Sequence, residues 1–171
     1  MTQKKISIIG VEPYSIVNLR SNLINNLIEE NILVTVVSKK ISVKLRAEFN
    51  NENIQYDPVS FNRNGLSIFS DLLTFFNIFK HLRRYRPDLV LAFTIKPVIW
   101  SGIASRFLNI NFYALITGLG YSFYGETKRR KLLTMLVIFL YKVALKKSNS
   151  VIFQNLDNRD IFVKKSIIPF S

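Results

Sequence analysis

The run Leu89-Val90-Leu91-Ala92-Phe93 constrains the fold more than any other segment of the chain. All of its side chains are apolar, so the segment has no polar side to turn towards water. Such runs, without alternation of polar and apolar residues, are typical of parallel strands that are covered on both faces. Pro87 precedes the run and stops the helical pattern before it. The segment therefore predicts an inner strand of a parallel α/β sheet.

Strand-like and helix-like segments alternate along the rest of the chain. Strand patterns cover residues 5–10, 33–37, 53–56, 112–116 and 150–153, and helical stripes cover residues 16–28, 66–82, 98–107 and 128–147. Ser15 is the expected N-cap of the first helix. This order predicts an α/β fold, a single doubly wound Rossmann-like domain with a mostly parallel sheet.

Length and composition narrow the class of protein. The chain has 171 residues, which fits one domain, and it has no Cys, which excludes disulfides and thiolate metal sites. The apolar run at its N-terminus is too short for a secretory signal. We therefore expect a cytoplasmic protein.

Positive charge is concentrated after residue 57. Residues 58–171 hold 17 of the 24 Lys and Arg residues but five of the 11 acidic ones, which favours a polyanionic partner. The helix at 128–147 begins with Lys128, Arg129, Arg130 and Lys131, and we expect these four to face an anionic membrane. Its apolar section spans roughly 21 Å, less than the ~30 Å of a hydrocarbon core, so the helix is not expected to be transmembrane.

Several common sites are not indicated by the sequence. It contains neither G-x-G-x-x-G nor a P-loop, and no cluster of His and carboxylates has metal-ligand spacing. We therefore expect no metal and no cofactor. In the stripe at 66–82, the polar residues are expected to face water and the apolar ones the core; the polar set is Ser67, Ser70, Asp71, Thr74, Asn77 and His81, and the apolar set is Ile68, Leu72, Phe75, Phe76 and Phe79.

The loops that follow the strands are the expected ligand site, because ligands of doubly wound sheets bind beyond the carboxyl ends of the strands. Lys96 follows the inner strand and precedes a helix, which suits a phosphate, although an ordinary exposed lysine fits its position equally well. Gly118 and Gly120 permit close approach of a ligand to the backbone, or form a plain tight turn.

Five segments in order carry a family resemblance: VEPYSIVNLR, NRNGLSIFSDL, RPDLVLAFTIKPVIWSGIASR, ALITGLGYSF and VIFQNLDNRDIFV. Together they resemble the N-terminal domain of family 4 retaining glycosyltransferases, in the branch that extends polyprenyl-diphosphate-linked saccharides. The resemblance implies the acceptor-side half of a two-domain GT-B enzyme. Residues 1–171 would form this half, and the C-terminal nucleotide-sugar domain is absent, so the chain alone is expected to be an inactive hexosyltransferase domain.

The resemblance also implies where the ligands bind. The acceptor or its phosphates would contact Gly10, Tyr14, Ser15, Asn18, Arg20, Lys96, Thr117, Gly118, Gly120 and Asn155, with Asp157 nearby; it assigns no catalytic residue. Basic groups and helix dipoles, rather than a metal, would hold the diphosphate. The implied reaction moves a hexose or N-acetylhexosamine from a nucleotide-sugar to a lipid-linked saccharide, in capsule, lipopolysaccharide or glycan synthesis at the inner face of the plasma membrane.

Three other functions fit parts of the sequence. The chain could be a non-catalytic subunit that anchors a separate donor-binding domain at the membrane. Sugar-nucleotide epimerases have two similar domains. A nucleic-acid-binding domain is disfavoured, because most aromatic residues follow core periodicity rather than alternating with Lys and Arg on a surface.

Overall fold

The fold is described from a computed structural model, which covers residues 3–42, 45, 54–61, 68–119 and 127–169. Within these ranges lie six strands and six helices, which alternate from β3 onwards. The strands are β1 (Lys5–Ile9), β2 (Leu33–Ser38), β3 (Ile54–Pro58), β4 (Leu89–Phe93), β5 (Asn111–Ile116) and β6 (Ser150–Phe153). The helices are α1 (Pro13–Val17), α2 (Ser21–Glu29), α3 (Ile68–Tyr85), α4 (Ile95–Leu108), α5 (Lys128–Leu145) and α6 (Leu156–Lys164).

The six strands form one parallel sheet in the order β3-β2-β1-β4-β5-β6. The strand order reverses between β1 and β4, so the loops after these two strands diverge to opposite sides of the sheet. A crevice opens at such a switch point, beyond the carboxyl ends of the strands. The expected doubly wound α/β architecture is confirmed.

Alternate residues of the strands enter separate clusters on the two faces. On one face Ile9, Val37 and Ala92 pack with residues of α3, α4 and α5 in the larger cluster. On the other face Ile8, Val36 and Phe93 pack with α1 and α2 in the smaller one. Each of α3, α4 and α5 leads into a parallel strand, so each runs from the carboxyl edge of the sheet to its amino edge.

The described helices leave part of the sheet uncovered on the face that carries α1 and α2. Leu91, Tyr113, Leu115 and Ile152 share this face by strand register; the first three are partly buried, and Ile152 is exposed. None of the side chains that β4, β5 and β6 present there is charged. Since parallel sheets are normally covered on both faces, this strip is an apolar surface with room for a further element.

Two expectations about the helices are wrong. The stripe at 16–28 is two helices, because the chain turns between Asn18 and Arg20, and Glu12 rather than Ser15 occupies the first N-cap. The hydroxyl of Ser15 instead donates to the carbonyl oxygen of Glu12 at 2.8 Å. The helix α6 has no counterpart among the predicted elements; Asn155 caps it by accepting from the backbone N–H of Asn158.

Gly10 is required where β1 meets β4. A Cβ at this position would lie 2.3 Å from Cζ of Phe93, closer than real side chains approach one another. The backbone N–H of Gly10 donates to the carbonyl oxygen of Val37 at 3.0 Å, which holds the loop to the sheet. The Phe93 ring thus occupies the space that a side chain at residue 10 would need.

We expect Gly10→Ala to lower the free energy of unfolding by about 1–3 kcal/mol, because the buried Phe93 ring has to move. Urea denaturation followed by circular dichroism measures this change. Gly118→Ala is the matched control, since nothing lies within 4 Å of a Cβ built there. Equal stability of the two variants would show that Phe93 adapts without cost.

Candidate functional site

The carboxyl edge of the sheet, at the switch point between β1 and β4, collects cationic side chains. Arg20, Lys39 and Lys96 each follow the carboxyl end of β1, β2 or β4 along the chain. The turn after β1 contains Gly10, and the turn after β4 contains Thr94. Both turns lie at this edge.

Arg20 lies flat on an aromatic ring at this edge. Its guanidinium carbon is 3.6 Å from the centroid of Phe93, and one of its terminal nitrogens donates to the carbonyl oxygen of Ser15 at 2.7 Å. Burial lowers the pKa of Arg20, since desolvation disfavours the charged form. The Nε–H has no hydrogen-bond partner among the described residues. A partly dehydrated guanidinium with an unused donor is well suited to bind an oxyanion.

Lys39 follows β2 and pairs with the first turn after β1. Its ammonium lies 3.1 Å from the Glu12 carboxylate. A cavity of about 490 Å³ opens beside it, lined by Lys39, Lys40 and residues 58–61 at the carboxyl ends of β2 and β3. Lys39 therefore belongs to the same edge as Arg20.

Lys96 occupies the first turn of α4 and forms a buried ion pair. Its Nζ is 2.7 Å from Oδ1 of Asp71 in the first turn of α3, and the two side chains are 15% and 5% exposed. Thr94, the N-cap of α4, has a φ of 68° and a hydroxyl without a partner among the described residues. Positive φ in a β-branched residue is strained and marks functional segments. The possibility that Lys96 is an ordinary exposed lysine is excluded by its burial.

The face assignment of α3 is wrong for several residues, although Phe75 and Phe79 pack against the larger core cluster as expected. Ser67 and the side chain of Ile68 fall outside the described residues. Asp71, Thr74 and His81 are buried, whereas Leu72 and Phe76 are exposed. Each buried polar group has a partner on another element: Asp71 has Lys96, Thr74 donates to the carbonyl oxygen of Ser60, and His81 contacts strands β1 and β3. A prediction from periodicity alone assumes that polar residues face water. Here the polar residues are buried instead, because other parts of the chain supply their hydrogen-bond and ion-pair partners.

His81 joins two strands beneath α3. Its Nδ1 lies 2.7 Å from Oδ2 of Asp57, and its Nε2 lies 2.9 Å from the hydroxyl of Ser7. Because a carboxylate only accepts, Nδ1 donates to Asp57, and the Ser7 hydroxyl can donate to Nε2 when the ring carries a single proton. The order matches a Ser-His-Asp triad, but Ser7 lies inside β1 between two parallel partners. Its neighbouring backbone N–H groups are used by the sheet, which leaves no oxyanion hole, so the relay is structural.

The other residues of the expected acceptor site are spread along the carboxyl edge. Tyr14 and Asn18 are exposed on α1 and just after it, and Thr117 and Gly118 follow β5. Gly118 does not adopt the left-handed φ that would require glycine. Asn155 caps α6, and Asp157 lies exposed in its first turn. Gly120 falls outside the described residues.

The four expected membrane-facing cations begin α5. Lys128, Arg129 and Lys131 are exposed, Arg130 is partly buried, and Thr127 caps the helix by accepting from the Arg130 backbone N–H. Within the described ranges, no helix is long and apolar enough to cross a membrane. Nor do the described His and carboxylate residues form a cluster that could hold a metal ion.

A match to a family model identifies the chain. The model of glycosyl transferase 4-like proteins matches residues 14–155, which is most of the chain. The protein belongs to this family. No curated protein matches the glycosyltransferase-like chain in sequence.

Solved structures share the fold of this glycosyltransferase-like domain. MurG of Acinetobacter baumannii aligns with a TM-score of 0.61 and 14% identity, over 98% of this chain and 43% of its own. Sucrose-phosphate synthase of Thermosynechococcus elongatus gives 0.63 and 12%, over 96% and 45%. UDP-GlcNAc 2-epimerase of Methanocaldococcus jannaschii gives 0.59 and 16%, over 97% and 43%. The chain spans less than half the length of these structures, and the likeness shows the fold alone.

Two features of the edge were not predicted from the sequence. The ion pair of Lys96 with Asp71 joins residues 25 positions apart, and periodicity had placed Asp71 in water. A signal was present, since a lysine in the first turn of a helix meets the positive end of the dipole and needs an anion. The stacking of Arg20 on Phe93 gave no comparable signal.

His81→Leu is expected to lower the free energy of unfolding by about 1–3 kcal/mol, because the buried Ser7 hydroxyl loses its partner. Thermal and urea unfolding of the chain measure the change. Arg83→Leu, an exposed position on the same helix, serves as the control and should stay within about 0.5 kcal/mol of the original chain. A harmless His81→Leu would mean that the relay does not hold α3 on the sheet.

Proposed function

We propose that the chain is the acceptor-side domain of a hexosyltransferase that acts on a saccharide linked to polyprenyl diphosphate. A companion domain would bind the nucleotide-sugar and supply the hexose or N-acetylhexosamine, which would be transferred with retention of configuration. The observation that carries the proposal is the cationic carboxyl edge of a family 4-like fold, with Arg20 and Lys96 on either side of the switch point.

The chemistry of that edge supports a diphosphate rather than a neutral ligand. Arg20 has an unused, buried N–H donor, and α4 presents the positive end of its dipole beside Lys96. A diphosphate accepts from several donors at once, and charge-assisted hydrogen bonds of this kind are among the stronger ones. Lys39 and Lys40 extend the positive surface along the same edge.

The uncovered strip on β4, β5 and β6 supports the need for a companion domain. Leu91, Tyr113 and Ile152 lie on a face without charge, where a parallel sheet normally carries helices. A second domain, whether on the same polypeptide or a separate one, would cover such a surface. The matched structures are more than twice as long as the chain, which is consistent with this arrangement.

The outer faces of α3 and α5 support contact with a membrane. Phe69, Leu72, Leu73 and Phe76 form an exposed apolar stripe on the first half of α3, where Phe69 is 88% exposed. Leu132, Met135, Leu136 and Phe139 form a second stripe on α5, directly after the basic residues 128–131. Apolar side chains bordered by Lys and Arg fit the interface of an anionic bilayer.

Both stripes begin near the carboxyl edge, because α3 and α5 run from that edge to the opposite one. A membrane on this surface would lie beside the proposed acceptor site. A lipid-linked diphosphate could then reach Arg20 and Lys96 while its polyprenyl chain stays in the bilayer. The basic residues between Lys80 and Arg86 lie at the other end of α3, away from the carboxyl edge. The domain would thus be peripheral on the inner face of the plasma membrane.

A second function is favoured by the same stripes: a non-catalytic subunit that anchors a separately encoded donor-binding domain at the membrane. An anchoring subunit would need the membrane-facing stripes and the uncovered strip, but it would not need the cationic edge. Loss of activity on substitution at Arg20, in the complex of both domains, would favour the acceptor-binding role over simple anchoring.

Binding to vesicles tests the membrane proposal. The double variant Lys128→Gln/Arg129→Gln should lose about 2 kcal/mol of binding to phosphatidylserine-containing vesicles, roughly 30-fold, at ~1 kcal/mol per basic group. Cosedimentation at low and physiological salt measures it. Lys164→Gln/Lys165→Gln removes the same charge from exposed positions far along the chain, and should change binding much less. Equal loss in both double variants would mean that only net charge matters.

Titration with nucleotide-sugars tests whether donor binding belongs to the companion domain rather than to this chain. The 171-residue chain should neither bind UDP-sugars with micromolar affinity nor transfer from them, because the donor site would belong to the companion domain. Isothermal calorimetry with UDP-glucose and UDP-N-acetylglucosamine measures this. Micromolar binding, or turnover by the chain alone, would contradict the proposal.

A further inference from the structure

The first turn of α4 carries an excess of positive charge. Lys96 lies next to the helix N-terminus, whose unpaired N–H groups amount to about half a positive charge. The first turn of α4 has no acidic residue, and the Thr94 side chain does not cap it. This end of the helix therefore needs an anion from elsewhere.

In the free chain Asp71 supplies that anion. Its Oδ1 lies 2.7 Å from Nζ of Lys96, and its side chain is almost fully buried. Asp71 also lies in the first turn of α3, where the dipole of its own helix favours a carboxylate. Its other oxygen, Oδ2, has no hydrogen-bond partner among the described residues. The carboxylate is thus stabilised by two sources of positive potential, of which Lys96 is only one.

The two partners differ in how easily they can move. Lys96 has a flexible four-carbon stem and keeps some exposure, whereas Asp71 has a short side chain fixed within the packed helix. If the ammonium turned towards the carboxyl edge, Asp71 would still be stabilised by the N-terminus of α3. Movement of one side chain would therefore suffice to open the pair.

We propose that Asp71 is a positioning residue that competes with the acceptor diphosphate for Lys96. In the free protein the pair keeps Lys96 ordered and screens its charge. A bound diphosphate takes over as the anion of the α4 N-terminus, and the pair opens. Binding then carries the cost of separating Lys96 from Asp71, and this selects for ligands with enough negative charge to displace a carboxylate.

This inference rests on the proposed function, since it assumes that the carboxyl edge binds a diphosphate. Inorganic pyrophosphate is the probe, titrated calorimetrically into the 171-residue chain at fixed salt. Asp71→Asn removes the competing charge and should raise the affinity for pyrophosphate about tenfold. Asp88→Asn is the matched control: it makes the same charge change at the amino edge, where Asp88 accepts from the backbone N–H of Lys5 at 2.8 Å. The affinity of Asp88→Asn for pyrophosphate should stay within about twofold of that of the original chain.

The gain should depend on Lys96. Adding Lys96→Met to Asp71→Asn should abolish it, because no ammonium is left to be released. If Asp71→Asn binds pyrophosphate no better than the original chain, while the original chain binds, Asp71 is not a competitor and the inference fails alone. If none of the variants binds pyrophosphate, the anion site of the proposed function is wrong and the inference falls with it.

Should Asp71→Asn not fold, the original chain gives the same answer by NMR. The carboxyl carbon resonance of Asp71 should shift as pyrophosphate is added, because its ion pair opens. A resonance that stays fixed while pyrophosphate binds would overturn the proposal.

Discussion

The parallel pairing of β1 with β4 is the constraint on which the remaining structure depends. These strands are adjacent in the sheet although α1, α2, β2 and β3 lie between them in sequence. Their pairing reverses the strand order and opens the crevice at the carboxyl edge. It also brings Gly10 under Phe93, and Phe93 under Arg20, so one ring links the close strand packing to the best-placed guanidinium.

The inner and outer sides of helix α3 differ from what its sequence pattern predicts. Its inner side carries Asp71, Thr74 and His81, each with a partner on another segment, beside the core residues Ile78 and Leu82. The first half of its outer side carries exposed apolar residues. Burying polar groups is acceptable only where partners exist, and leaving several large apolar groups in water is costly unless something covers them. This arrangement therefore makes sense for a helix whose buried polar groups have partners in the protein and whose exposed apolar groups face an apolar environment.

The sequence predicted the sheet well because its strands are short apolar runs with strong β propensity. The bounds of β4 and β6 are as predicted, and other strand bounds differ by one or two residues. Helix α6 was missed because its apolar residues, Leu156 and the consecutive Ile161, Phe162 and Val163, do not follow helical spacing. The break between α1 and α2 was missed because Asn18 and the asparagines after it have the spacing of the polar face of a single continuous helix.

The site was harder to predict because its contacts join distant parts of the chain. Position after a buried strand was enough to select Lys96, but not to find that Asp71 neutralises it. Likewise, the spacing of polar residues along α3 showed that they share one side of the helix. It could not show that His81 on this side contacts Ser7 and Asp57, which belong to two strands. Local pattern finds the candidates, and tertiary pairing decides their charge and exposure.

The contact of Gly10 with Phe93 has a consequence for the evolution of this fold. The ring fills the volume that any larger residue at position 10 would need, so the two positions share one fixed space. A homologue that acquires alanine or serine at position 10 is expected to carry a smaller side chain at position 93 or to be less stable. Such a homologue would also lose the aromatic surface under Arg20, so its guanidinium would need a different support. Substitution at these three positions is therefore expected to be correlated across the family.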